Sequence, residues 1–310
     1  MNENIYTQLS RYTQPILILF GTIGALLNQI LFNRRKLIKK ASCTLYWRAL
    51  SFNDLLVLYI IVLTQWFNDQ FHFDPSIKYL WYCKIRTYAT YCLYAISPYC
   101  IVLVCIDRLC RTSKYSSLRN IATSSIARKI IIITIIIICL VYFHILLQFN
   151  IIQSICRPLQ FSYYRFLGYF VLFFYCLLPP ILMSVFSSWT LILLHSHRKR
   201  QEKKYKLIII LPHKHHCSRD YQLLKILFLY VATNIICTLP FSILMLLDVH
   251  RYHSSHQLIT FIKYSLLLCN LNHCTSFYIY TLGTPLYRRE LLHLIDSFQR
   301  RVVLWFDLPH

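Results

Sequence analysis

The segment KIIIITIIIICLVYFHILLQF, residues 129–149, constrains this chain most. After Lys129 it runs for twenty residues without an acid, a lysine or an arginine. About 20 apolar residues, rising ~1.5 Å each, cross a ~30 Å hydrocarbon layer. Isoleucine is a mediocre helix former in water. In lipid the backbone finds no outside partner and must bond to itself, so helix wins. Six further apolar runs of similar length occur at 15–32, 49–67, 83–106, 166–194, 223–247 and 258–282. The reading is all-α: a seven-transmembrane helix bundle that ends in a short C-terminal amphipathic helix.

Composition agrees. Only 14% of the 310 residues are charged and 57% are hydrophobic, whereas a soluble domain carries about 25% charged residues. The formal charge is +22. The basic residues lie between apolar runs rather than along one amphipathic face. Nucleic acid is therefore excluded as a partner, and a bilayer with an anionic inner leaflet fits instead. Alternate connecting segments hold 25 of the 33 Lys and Arg, and the others hold eight. The positive-inside rule then sets the N-terminus outside and the C-terminus inside. Residues 1–14 read as an extracellular tail, 15–282 as the membrane domain, and 283–310 as a membrane-surface helix with a short cytoplasmic tail. In that last segment leucines alternate with Arg288, Arg289 and Glu290, which suits a helix lying on a leaflet.

Polar groups inside the runs need partners. A charged side chain at mid-bilayer costs about 2.5–3.5 kcal/mol on insertion scales. Asp54 is the sharpest case: it is either protonated or holds a small cation such as sodium. Asn28, Ser97 and Asn272 are further polar groups in the first, third and seventh runs. Asp107 and Arg108 stand where the third run stops, on the inner side. Of the 13 cysteines most lie within apolar runs, and no C-x-x-C pair exists. Cys83 and Cys156 both face the outer, oxidising side, where a disulfide and two free thiols are the alternatives.

Taken together, these residues resemble the rhodopsin-like (class A) G-protein-coupled receptors. Cys83 and Arg108 have the spacing between that family's third-helix cysteine and its Asp-Arg-Tyr arginine. Asp54 in ALSFNDLL resembles the second-helix signature, Asn28 the first-helix asparagine, and Ser97 the sodium-site serine. FFYCLLPP carries the fifth-helix proline, and CTLP, ending at Pro240, resembles the sixth-helix Cys-Trp-x-Pro. SFYIY, from Ser276 to Tyr280, resembles Asn-Pro-x-x-Tyr, with Asn272 four residues earlier. The departures are Leu109 for the tyrosine, Thr238 for the tryptophan, and Ser276-Phe277 for Asn-Pro.

The resemblance implies a multi-pass plasma-membrane receptor, not an enzyme, that binds an extracellular ligand and activates a heterotrimeric G protein. It implies a disulfide between Cys83 and Cys156. It implies an intramembrane ion site of Asn28, Asp54, Ser97, Asn272 and Ser276, with sodium at Asp54 and no other cofactor. Asp107, Arg108, Asp220, Pro240 and Tyr280 would form the switch, with Arg108 held at rest by Asp107 and Asp220. Thr90 stands where amine receptors place their counter-acid, which points away from an amine. Arg86, Thr90, Arg157 and Lys263 are the expected ligand contacts, and an acidic or amphipathic peptide is the expected ligand. The rival readings are a seven-helix transporter or channel, and a receptor-like protein that does not couple to G proteins.

Overall fold

In a computed structural model, the described residues are 2–33, 42–153, 155–205, 215–250, 256–279, 283, 288–294, 296 and 299. Tyr280 lies outside them. Asp220 falls on a described helix, but its side chain is outside the description.

The first helix, α1 (Asn2–Phe32), takes in nearly all of the expected tail. Tyr6, Ser10 and Gln14 are buried at four-residue spacing, the spacing of one helix face. That face is polar, so hydropathy did not reveal it. The second helix, α2, runs as Cys43–Leu56, a π turn at Val57–Val62, and Leu63–Phe71. It stops at His72, whose φ of 52° is left-handed. Next come a 3-10 turn at Pro75–Ile77, capped by Asp74, and then α3 (Leu80–Thr112).

A short helix, Ser116–Ile121, leads to α4, which spans Ser124–Val141 and, after a break, His144–Gln148. A hairpin of β1 (Phe149–Ile152) and β2 (Ile155–Pro158) follows, antiparallel with Ile151 opposite Cys156. The fifth helix, α5, is Phe161–Val171, a π turn at Leu172–Leu177, and Leu178–Tyr205. The last two are α6 (His215–His250), with Pro240 inside it, and α7 (His256–Phe277). Helical residues at 288–294 follow, with Leu291 buried and Leu292 exposed.

Six helices among the described residues are long and apolar enough to cross a bilayer. The remaining one, α7, is less apolar because it carries Lys263, Asn270, Asn272 and His273. It packs between α1 and α6 and closes the ring. At the centre stands α3, in contact with α2, α4 and α5. Two-thirds of its apolar window is buried (67%), against 17% for α4. Accordingly Ile132, Ile133, Ile136, Ile137 and Leu140 of α4 point outward, the lipid-facing stripe of a peripheral helix.

Close contact between α1 and α7 needs glycine. A Cβ on Gly24 would stand 2.8 Å from Cβ of Phe277. In membranes, where both solvent and helix surface are apolar, such close backbone approach supplies the packing energy.

Candidate functional site

Asp54 is almost wholly buried, and it sits one turn before the π turn of α2. Three side chains reach it. Ser97 of α3 donates to Oδ1 at 3.2 Å, and Ser276 of α7 donates to Oδ2 at 2.7 Å. The third is Nδ1 of His273, 2.9 Å from Oδ1. Asn53, next to Asp54, donates to Ser97 Oγ and to the Leu93 carbonyl, both at 2.8 Å. The His273 ring stacks on Tyr94 at 5.5 Å, and the Tyr94 hydroxyl donates to Asn270. Three helices thus meet in one buried polar cluster.

The sequence reading named Asp54, Ser97 and Ser276, and the structure brings these together. Asn28 and Asn272 are buried, but Asp54 has no hydrogen bond to either. The reading missed His273. Its signal was present, since an ionisable side chain inside a membrane run needs a partner.

This arrangement bears on the expected sodium ion. The imidazole nitrogen and the carboxylate oxygen are in direct contact, with no room for an ion between them. The carboxylate then has an imidazole at one oxygen and hydroxyl donors at both. A cation at Oδ1 would have to displace the imidazole. The residues present therefore do not fit a resident sodium ion.

At the far end of α3, Asp107 is buried, but its partners are not those expected. It accepts from Arg111 Nε at 3.1 Å and from the Ser42 hydroxyl. Arg111 also donates to Ser42 Oγ at 2.8 Å. The physical reason is helix geometry: residues four apart share a face, whereas adjacent residues diverge. Arg108 therefore points elsewhere, and its nearest partner is Cys43 Sγ at 3.9 Å. Among the described residues no carboxylate holds it. Thr238 of α6, standing for the expected tryptophan, donates to the Asn234 carbonyl. Two residues on, Pro240 lacks an N–H to offer the preceding turn.

At the opposite end Cys83 and Cys156 are disulfide-bonded, with Cα atoms 5.7 Å apart. The bond ties the hairpin to the start of α3. Beside it opens a cavity of about 670 Å³, within the usual range for ligand sites. Arg86, Thr90 and Lys263 line it, together with Asp69, Asp74 and Tyr91. Arg86 is paired with Asp74 at 3.3 Å. Lys263 lies over the Tyr6 ring at 5.3 Å. Asp69 accepts from Tyr6 and Gln14 of α1. Thr90 turns its hydroxyl back to the Arg86 carbonyl. Arg157 stands apart, exposed on the hairpin and bonded to Gln153. Among the described residues no His, Cys, Asp and Glu gather as a metal site.

No individual curated protein matches the chain. A family profile described as 7 transmembrane receptor (rhodopsin family) matches residues 25–280. That stretch contains the Asp54 cluster, the disulfide and Arg108. The chain belongs to the rhodopsin family of seven-transmembrane receptors.

Proposed function

We propose that this protein is a plasma-membrane receptor that takes an extracellular peptide in the cavity beside the disulfide and activates a heterotrimeric G protein at the Arg108 end. The N-terminus faces outside. The observation that carries the reading is Arg108. Its acidic neighbour is engaged by Arg111 and Ser42, so the guanidinium is left without a carboxylate among the described residues. A rigid planar cation at a helix end suits a partner's backbone carbonyls and carboxylates.

The cavity supports a peptide. It offers both signs of charge and tyrosine rings, which together match amide, terminal and side-chain groups. The buried cluster at Asp54 lies between the two ends and joins α2, α3 and α7. A ligand shifts this bundle only by its differential affinity for the two states. Pro240 supplies the hinge on α6, because it removes one backbone bond.

The test uses cells expressing the full chain and exposed to pooled synthetic peptides, with second-messenger output as readout. A pool that stimulates the wild type should lose potency on Asp69→Asn and on Arg86→Ala, with Arg157→Ala unchanged. A response indifferent to both cavity variants would remove the peptide site from the cavity.

A further inference from the structure

A second cavity lies outside the bundle. It is a groove of about 860 Å³ between α2, α3 and α4. Leu56, Ile60, Ala89 and Ile135 form its apolar wall, and Arg48 and Arg128 line it as well. It faces outward, since Phe52, Ile60 and Ile85 on its border are exposed. It shares no lining residue with the cavity beside the disulfide.

The two arginines are the unusual part. Both are exposed. Neither guanidinium has a hydrogen bond or an ion pair among the described residues. Arg48 lies within a membrane-spanning helix, on the Arg108 side of Asp54, and Arg128 lies near the start of α4. Near a helix end such a side chain reaches the headgroup level, where guanidinium bonds phosphate oxygens bidentately.

Length selects the occupant further. From Arg48 to Ile60 the groove follows α2 for about 18 Å at 1.5 Å per residue. One leaflet of hydrocarbon is about 15 Å deep. A phospholipid with its phosphate at the arginines would lay an acyl chain along the full apolar wall. A second copy of the chain fits worse. Self-pairing of this face would oppose arginine to arginine, in a protein already at +22.

We propose that this groove is a binding site for one anionic phospholipid of the leaflet on the Arg108 side, held by Arg48 and Arg128. Asn53 gives the site a route to the bundle interior. It lines the groove, and its Nδ2 holds both Ser97 Oγ and the Leu93 carbonyl at 2.8 Å. An occupied groove therefore braces the α2–α3 contact that orients Ser97 toward Asp54.

The test is native mass spectrometry of the purified full chain, offered phosphatidylglycerol or phosphatidylcholine of matched acyl chains. The wild type should retain one phosphatidylglycerol in preference to phosphatidylcholine. Arg48→Gln and Arg128→Gln should each weaken retention about tenfold, the scale of one charge-assisted contact. Ala89→Trp, which fills the groove without touching charge, should also weaken it. Lys129→Gln, an exposed cation outside the groove, should not, and circular dichroism checks that each variant is folded. Equal retention of the two lipids, or retention unmoved by the arginine variants, overturns the proposal. A dimer that excludes lipid does so too, by giving the groove to a second copy.

Discussion

Nδ1 of His273 stands 2.9 Å from Oδ1 of Asp54, a contact made across 219 residues of sequence and buried on both sides. It joins α7 to α2 at the centre of the bundle. An intramembrane carboxylate needs a partner, and here a side chain supplies it.

Sodium should therefore leave this receptor indifferent. Exchange of sodium for potassium at constant ionic strength should not move the thermal midpoint of the purified protein. In His273→Ser the ring is gone and a hydroxyl oxygen takes its place beside Ser97 and Ser276. That variant should gain a sodium-dependent stabilisation of about 1–3 kcal/mol, by mass action on the folded state. A sodium-dependent midpoint in the wild type would contradict the reading.

The pair should also behave as one unit. His273→Ala removes one of the three partners of a buried carboxyl group and should cost about 1–3 kcal/mol. Asp54→Asn alone should cost less, because an amide still accepts from the serines. The double variant should recover part of the loss. Thermal denaturation of all four proteins closes the cycle, and a coupling near zero would show that the contact is incidental.

Arg108 and Arg111 should separate by experiment. Arg111→Ala strips Asp107 of its ion pair and should destabilise the inner end of α3 by about 1–3 kcal/mol. Arg108→Ala loses one thiol contact and should leave the thermal midpoint nearly unchanged. Equal destabilisation by both would mean that Arg108 has a structural partner after all.

The α1–α7 seam gives a packing prediction. Gly24→Ala places a methyl 2.8 Å from Cβ of Phe277, an atom tied directly to the α7 backbone. The helices must part, at a cost of about 1–3 kcal/mol. Gly21→Ala should be milder, because the nearest atom there is the far end of Leu58. Midpoints of the two variants in one detergent give the order.

Much of this was legible in the sequence for a physical reason. Lipid permits few backbone structures, so apolar length alone announced the helices at 129–149 and elsewhere. Asp54 and Ser97 were legible because polar atoms in such runs need partners, and Ser276 through the family resemblance. What escaped were choices that local spacing leaves open. Asp107 and Arg108 are adjacent, yet the helix turns them apart and gives Asp107 to Arg111. His273 was overlooked among polar neighbours in NLNHC, although an ionisable side chain in such a run needs a partner. The N-terminal face of Tyr6, Ser10 and Gln14 has helical spacing but polar chemistry, so hydropathy marked it as tail. The hairpin at 149–158 has too few residues to show a strand pattern.

The most direct measurement of the whole account is guanine-nucleotide exchange. Purified receptor and its Arg108→Ala variant, each in lipid nanodiscs, are mixed with a panel of heterotrimeric G proteins, with and without peptide pools. The expected result is faster exchange on at least one heterotrimer with the wild type, and the receptor-free rate with Arg108→Ala. Full acceleration by Arg108→Ala, or none by the wild type on any heterotrimer with any pool, would contradict it.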